Sequence, residues 1–501
     1  MSYHLNLEVS VGSHQKKQSS AVCTDLIPVF GWKRKSKTQK MGRYEKLYQE
    51  LVKTGGVEES ASHNLVRLAG KDGARHVYFT NIGNLKNPET LRALGAKVYH
   101  FLRSENLLHV RFQLGQGVIR SVSDLHSFRA FLEGMVLASY QFEKKGKTAQ
   151  KVKPILLTIE TQKASQKRMK QFVEDLEFVQ QAVSLTRDWS NAPANLGTPS
   201  YYAKEAEKLA KELGVKVKIL GESEAKKEKM NLFLGVGAGS QQEGKIVYLE
   251  YKPKKKSKKM KTIGLVGKGV TFDAGGISLK PSSKMEDMKH DMTGAATIMG
   301  AFYLAAKRKV NNRVIAVMGF TENMPSGSAI QPSNVLTARS GQTVEITNTD
   351  AEGRLVLGDL LDWIQEFKPD VLLDAATLTG AVGVALGKQC AAILGNQQKW
   401  ISQVIKSSES VQERLWQLPL YPEYFEDMKS EVADFKNSVN NSLGGTIRGA
   451  AFLQQFVKAE TPWVHLDIAL MSWDVANLAY CPNKGASGLY VRSIAHLVEN
   501  Y

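Results

Sequence analysis

Cysteine is scarce in this sequence: Cys23, Cys390 and Cys481 are the only three in 501 residues. They lie far apart and match no paired ligand spacing, which excludes a disulfide scaffold and a thiolate metal site and fits free thiols in a reducing compartment. Long apolar runs are missing as well. No stretch of about 18 apolar residues occurs, so no transmembrane helix and no membrane partner are expected. The start, Met-Ser-Tyr-His-Leu-Asn-Leu-Glu-Val, lacks a basic segment followed by a long apolar one. A secretory signal is therefore not expected, and the cytoplasm is the expected location. Internal repeats are absent, and lysine runs are the only low-complexity tracts.

Negative charge is in deficit, with 49 Asp plus Glu against 67 Lys plus Arg and a net charge of +18. Such an excess can attract nucleic acid or an acidic surface. Much of it sits in two short runs, Trp32 to Lys40 and Lys252 to Lys261. Neither run interleaves aromatics with its charges, as a nucleic-acid surface generally does, so each reads most simply as a solvated loop. A nucleic-acid-binding regulator on the same scaffold, with DNA as a partner, is the alternative that this charge keeps open.

At 501 residues the chain is long enough for two or three domains. Residues 1–160 alternate strand-like runs (76–82, 108–114, 154–159) with helical ones (88–94, 122–138), the pattern of an N-terminal α/β domain. Residues 161–190 read as a linker helix, with apolar positions stepping by three and four from Met169 to Leu185. The stretch Asn191-Ala-Pro-Ala-Asn195 ends it. From 191 to 501 strands and helices alternate regularly: strands at 215–220, 245–251, 262–266, 314–320, 344–347 and 371–375, helices at 201–213, 297–308 and 355–367. Continuous apolar strands between helices predict a doubly wound, mostly parallel sheet, α/β in class, covered on both faces. Ligands in such sheets bind beyond the carboxyl ends of the strands.

Acidic and glycine-rich turns fall at those ends. In Asn348-Thr-Asp-Ala-Glu-Gly-Arg-Leu355, Asp350, Glu352 and Arg354 stand two apart, so an extended segment would point all three the same way. Gly353 reads there as a turn former. Earlier, the strand at 262–266 runs into Gly267-Lys-Gly-Val-Thr-Phe-Asp273-Ala-Gly-Gly, followed by Lys280 and by Asp291 at the mouth of a helix. The phosphate-loop pattern fails here, because residue 269 is Gly and no helix pattern follows. Bland readings stand beside the functional one: Asp291 as an N-cap, Lys280 as an exposed lysine before Pro281, Arg354 as a partner of its acidic neighbours. Read together, Asp273, Asp291, Asp350 and Glu352 form a carboxylate cluster that cannot stay fully ionised without cations. Lys268, Lys280 and Arg354 could supply them as a structural network, or divalent metals could. An oxygen-rich set with little histidine suits Mg, Mn or Zn, and bridging carboxylates suit two ions able to drive hydrolysis.

These segments, with Val266-Gly-Lys-Gly269, Asp374-Ala-Ala-Thr-Leu-Thr-Gly-Ala381 and His465-Leu-Asp-Ile-Ala469, resemble the leucyl aminopeptidase family of cytosolic di-metal exopeptidases over residues 185 to 501. The resemblance implies a peptide hydrolase that binds two divalent ions (Mn or Zn, possibly Mg) through Lys268, Asp273, Asp291, Asp350 and Glu352. Asp273 and Glu352 would bridge the two, and Lys268 would have to be neutral, its pKa depressed by the adjacent cations. Lys280 would stabilise the oxyanion, and Arg354 would hold a bicarbonate that shuttles the proton. Met288, Thr377, Leu378, Gly380 and Ala469 match the pocket for the N-terminal side chain and imply a preference for Leu or Met on peptide substrates. Ala274, where the family usually has Ser, and Leu470, where it generally has Gly, depart from the pattern. A homohexamer built from two trimers is also implied. A two-metal phosphoesterase would use the same carboxylate chemistry and stands as a further alternative.

Overall fold

The computed structural model of the chain describes residues 3–11, 24–29, 63–70, 73–81, 87–113, 122–143, 152–161, 163–254, 260–441 and 443–501, together with positions 50, 53 and 146. The first lysine run lies outside the described residues, as do Cys23 and positions 255–259 of the second run. Among the described residues no helix is long and apolar enough to cross a membrane.

One unit comprises Met1–Ser184 with Ala476–Pro482, the other Leu185–Val475 with Asn483–Tyr501. The division falls inside the helix Gln166–Asn191. In the first unit β1 (Leu5–Val11), β2 (Thr24–Val29), β3 (His63–Gly70), β4 (Gly73–Asn81), β5 (His109–Gln113) and β6 (Ile155–Thr161) form one sheet in the order β1-β6-β5-β2-β4-β3. Only β3 runs antiparallel to its neighbour. The helices Pro88–Ser104 and Val122–Ala138 cross in backbone contact, because a Cβ at Gly95 would stand 1.9 Å from the Phe131 carbonyl oxygen and one at Gly134 1.9 Å from that of Arg92.

In the second unit an eight-stranded sheet has the order β15-β14-β17-β13-β9-β10-β8-β7. Its members are β7 (Lys216–Leu220), β8 (Lys245–Tyr251), β9 (Thr262–Asp273), β10 (Arg313–Asn323), β13 (Val371–Ala376), β14 (Ala391–Gly395), β15 (Leu415–Gln417) and β17 (Trp463–Asp467). The four central strands, β17, β13, β9 and β10, are parallel and almost wholly buried, as near-continuous apolar sequence requires. The predicted α/β architecture, mostly parallel with a smaller N-terminal α/β part, is what the chain adopts. Two details differ. β7 and β8 form an antiparallel edge, and β10 lies between β8 and β9, so the second lysine run links strands that are not neighbours. The expected strand at 344–347 belongs instead to a small separate sheet of β11 (Val335–Thr337), β12 (Thr343–Glu345) and β16 (Phe435–Lys436).

Small residues bring a helix close over the central strands. In Thr293–Lys307 every residue to Ala306 is buried, and its Gly294 lies where a Cβ would be 2.2 Å from the Ala375 carbonyl oxygen on β13. Gly267 on β9 reciprocates, since a Cβ there would be 2.6 Å from Ala295 Cα. This approach sets the residues before the helix against the carboxyl ends of β9 and β13. On the other side the helix Gly353–Ile364 is tied down by Asp359, whose carboxylate accepts from Phe233 N at 3.0 Å and Arg339 N at 2.9 Å.

Burial pushes the Asp359 carboxyl up to about 7, although the backbone N–H groups of Arg339, Phe233 and Leu232 oppose the shift. A carboxyl raised from its unfolded value near about 4 holds its proton longer in the folded chain, so its contribution is complete below pH ~4 and is lost as pH rises through about 7. Denaturant midpoints should fall between pH 4.5 and 7.5. In Asp359→Asn that part of the fall should vanish; an unchanged slope would refute the assignment.

Candidate metal centre

β9 carries two ionisable residues through an otherwise apolar strand. Lys268 lies within the strand, not in the glycine-rich turn expected after residue 266, and is only 2% exposed. Gly353 makes room for it: a Cβ at 353 would stand 2.4 Å from Lys268 Cε and 2.7 Å from Nζ. The glycine expected to serve a turn therefore serves a close approach. Lys268 Nζ lies 2.6 Å from Asp291 Oδ2 and 3.0 Å from Glu352 Oε1, and donates to the Thr377 carbonyl at 2.9 Å. Burial disfavours the ammonium, yet Asp291, Glu352 and Asp273 outweigh it and raise its pKa. The depression expected of a ligating lysine thus needs cations in place of these carboxylate contacts.

Lys280 is not the exposed lysine of the bland reading. Its Nζ lies 2.7 Å from Asp273 Oδ2 and also pairs with Asp350 Oδ1. Burial again lowers its pKa and is overcome, chiefly by Asp273, Glu352 and Asp350. The carboxylates respond in the opposite sense. Burial, reinforced by Asp273, pushes Glu352 up to about 8, and burial raises Asp291 to about 6 and also raises Asp350.

Asp291 is not the N-cap of the following helix. Its Oδ1 accepts from Thr377 Oγ1 at 2.8 Å, and its Oδ2 faces Lys268. Nor is the octapeptide extended. Glu352 has helical dihedrals (φ −76°, ψ −33°) and leads straight into Gly353–Ile364, so Asp350, Glu352 and Arg354 do not share one face of a strand. The loop delivers Asp350 and Glu352 to the cluster, while Arg354 lies near enough to feel the charge of Glu352 but forms an ion pair with neither. Arg354 Nη1 donates to the Asn437 carbonyl at 2.7 Å, while its buried Nε has no hydrogen-bond partner among the described residues. Burial lowers this guanidinium to about 10, with Glu352 and Asp467 opposing, so it stays charged at neutral pH.

Three residues that hold the site have no counterpart in the sequence reading. Asn437, fully buried after β16, templates the octapeptide: its Oδ1 accepts from Thr347 N at 2.9 Å, and its Nδ2 donates to the Asn348 carbonyl at 2.7 Å. Asn323, at the end of β10 and in register with Asp273, donates from Nδ2 to Asp273 Oδ1 at 2.9 Å and to the Thr349 carbonyl at 3.0 Å. The strand was expected to stop at Phe320, which left Asn323 off the sheet edge. Asp467, fully buried at the end of β17, accepts from Leu378 N at 3.2 Å, Ala469 N at 3.3 Å and Thr379 Oγ1 at 2.6 Å. It joins two segments expected to line the side-chain pocket. Their signal was present in His465-Leu-Asp-Ile-Ala469 but carried no role.

Of the expected pocket residues, Thr377 is buried with both its hydroxyl and its carbonyl committed to the cluster. Leu378 and Ala469 are half-buried beside it, Gly380 is exposed with open space where a Cβ would be, and Met288 lies in the short turn Met285–His290 before Asp291. Leu470 packs its Cγ 2.7 Å from the position of a Cβ at Gly383.

The donor set fits a metal. Asp273, Asp350 and Glu352 each offer an oxygen within 4.8 Å of the others. Two ammonium groups serve four carboxylates, so the cluster is short of positive charge in a buried setting, where divalent ions with a preference for oxygen are favoured. The unpartnered Arg354 N–H likewise suits a small anion.

Comparison with known proteins identifies the family. The description of the cytosol aminopeptidase family, catalytic domain, matches residues 184–495. The chain is similar to a probable cytosol aminopeptidase of Geobacter sp. (strain M21), 44% identical over 361 residues, which are 72% of each chain. It is also similar to the cytosol aminopeptidase of Rickettsia prowazekii (strain Madrid E), 37% identical over 433 residues, 85% of this chain and 86% of the relative. Among solved structures it is similar to the bottromycin maturation enzyme BotP in complex with Mn, with a TM-score of 0.82 and 29% identity, covering 96% of this chain and 99% of that one.

Two substitutions test the construction. Gly353→Ala should displace Lys268 and weaken divalent-metal binding by roughly 10-fold or more with the fold retained, since supporting groups commonly carry 10- to 100-fold in metal affinity. Calorimetric titration with Mn would read it. Asn437→Ala should lower the unfolding free energy by about 1–3 kcal/mol, the usual cost of leaving buried polar groups unpaired. Unchanged denaturant unfolding would show that Asn437 is dispensable.

Proposed function

This chain belongs to the cytosol aminopeptidase family of peptide hydrolases, and from that premise we propose that it releases N-terminal amino acids from peptides with two divalent metal ions. The observation that carries the reading is the convergence of Asp273, Asp350 and Glu352 within 4.8 Å, with Lys268 and Asp291 against the same group. Family membership leaves the nucleic-acid regulator and the phosphoesterase without support.

In this reading Asp273 and Glu352 would be shared by the two ions, Asp350 would complete one site, and Lys268 with Asp291 would complete the other. Divalent ions supply Lewis acidity, polarising a carbonyl and lowering the pKa of water toward neutrality. Mn is a reasonable choice because BotP is solved with it; Zn and Mg suit the same donors. Lys268 must give up its proton to serve as a ligand. As a neutral amine it keeps two N–H bonds, enough to retain the 2.9 Å contact to the Thr377 carbonyl. Lys280, freed from Asp273 and Asp350, keeps its proton and donates it as a hydrogen bond to the developing oxyanion.

No side chain is left to act as general base, because the four carboxylates are committed to cations and both lysines begin protonated. Arg354 answers this need by offering its free N–H to a bicarbonate, a weak base of suitable strength. For substrate selection, Thr377, Leu378, Gly380, Ala469 and Met288 line a pocket for the first side chain, sized for Leu or Met. Leu470, packed against Gly383, would narrow or shift that pocket. The same reading assigns an N-terminal α/β domain at 1–160, a linker helix at 161–190, a catalytic domain at 191–501, a cytoplasmic location and a homohexamer of two trimers.

Hydrolysis of Leu-p-nitroanilide with added Mn tests the proposal. Lys280→Ala should lower kcat by about 100- to 1,000-fold, the usual cost of an oxyanion donor, and Asp273→Ala should abolish turnover in a folded protein. No turnover by the wild-type chain with any divalent metal would sink it. Leu470→Gly should alter the ratio of kcat/KM for Leu and Phe substrates while leaving metal binding intact.

A further inference from the structure

We infer that Asn323 is a positioning residue that sorts the oxygens of Asp273, the central carboxylate at the end of β9, so that it presents one oxygen, and always the same one, to the cations. The inference rests on the reading of Asp273 and Glu352 as bridging ligands.

Asn323 is 2% exposed and ends β10 directly opposite Asp273 at the end of β9. Its Nδ2 faces three oxygens: Asp273 Oδ1 at 2.9 Å, the Thr349 carbonyl at 3.0 Å and Glu352 Oε2 at 3.4 Å. All three can only accept while the carboxylates are ionised, so the amide nitrogen, not the amide oxygen, must face them. Asp273 Oδ1 also accepts from Gly275 N at 2.9 Å. The other oxygens look the opposite way, with Asp273 Oδ2 toward Lys280 and Glu352 Oε1 toward Lys268. Asp273 therefore has an outer oxygen occupied by two neutral N–H donors and an inner oxygen turned to positive charge, while Glu352 Oε2 has only the long 3.4 Å contact to the same amide.

Chemistry explains why an amide stands here. A lysine or arginine would compete with the ions for the same carboxylates, and an aspartate would add another negative charge with nothing to donate. A neutral donor fixes direction without altering the charge. The surroundings hold the amide in place: Asn323 Oδ1 lies 2.7 Å from where a Cβ would stand at Gly276, whose φ of 66° suits glycine, and the Asn323 carbonyl accepts from Ala274 N at 3.0 Å. Thr349, which supplies the third acceptor, is bound through Oγ1 to the Gly275 carbonyl at 2.6 Å. One amide thus registers β9, β10 and the octapeptide loop against one another.

The test measures Mn alone and then turnover, on the full chain. Free Mn followed by electron paramagnetic resonance should show the dissociation constant of the weaker site rising about 10- to 100-fold in Asn323→Ala. On a peptide p-nitroanilide at saturating Mn, kcat normalised to the folded fraction, read by denaturant unfolding of the same sample, should fall at least tenfold while KM stays within about twofold, a split that loss of folded protein does not produce once that normalisation is made. Asn323→Asp, which keeps the shape, serves if Asn323→Ala fails to fold, and should show the same split. Wild-type Mn affinity together with wild-type kcat in a folded variant would overturn the inference and leave the aminopeptidase reading standing. Failure of the wild-type chain to bind Mn, Zn or Mg would overturn both.

Discussion

Like charge gathered behind a sheet is the constraint on which this structure turns. Asp273 at the end of β9, Asp291 in the turn before a helix, and Asp350 and Glu352 in the octapeptide loop meet at a site where all but Asp350 are buried, so their mutual repulsion has to be met by cations or by protons. Side chains answer part of it: Lys268 lies between Asp291 and Glu352, and Lys280 between Asp273 and Asp350. Burial and repulsion still raise Glu352 to about 8. A fold that served stability alone would gain by replacing such a cluster with apolar residues. Retaining it is consistent with binding something that carries more positive charge than two lysines.

Delivering the cluster depends on places where the backbone has no side chain. Gly353 lets the buried stem of Lys268 lie against the first turn of a helix, Gly294 and Gly267 let another helix settle onto β9 and β13, and Gly276 leaves room for Asn323 and Thr349. Each brings a helix start or a loop to the carboxyl edge of the parallel strands. Asp273, Asn323, Thr377 and Asp467 all stand at that edge because β9, β10, β13 and β17 share one direction. Topology and chemistry coincide, as open α/β sheets lead one to expect.

The carboxylates and lysines were legible in the sequence; their geometry was not. Spacing by two correctly singled out Asp350 and Glu352, but for the wrong reason: they converge through a loop that enters a helix, not along a strand, and Arg354 turns toward Asn437 instead of joining them. Resemblance, resting on the whole motif set, named the group that periodicity could only suggest. Asn323 and Asn437 were invisible because a lone asparagine has no periodic signature, and its value lies in which acceptors a distant strand end brings within reach. The return of Ala476–Pro482 to the first unit escaped for a related reason, since no composition shift marks a short excursion of chain.

The search for a base narrows further when the rest of the interior is considered. His465 and Asp374 form a fully buried pair, Nδ1 to Oδ1 at 2.6 Å, with Trp463 Nε1 donating to the second oxygen at 2.7 Å. An Asp–His pair invites a catalytic reading. Yet they face each other in the register of β13 and β17, two residues short of the edge where Ala376 pairs with Asp467, and the Asp374 carboxylate is used on both oxygens. Burial lowers the imidazole pKa, but Asp374 and then Asp467 outweigh it and raise it, so the pair favours a held proton over a free lone pair. It behaves as a staple between the two strands whose ends carry Thr377 and Asp467. With that pair set aside and every carboxylate of the cluster engaged, the proposed hydrolysis would take its proton acceptor from outside the chain. In that proposal Arg354, charged, buried and with an N–H to spare, is the group that would hold it.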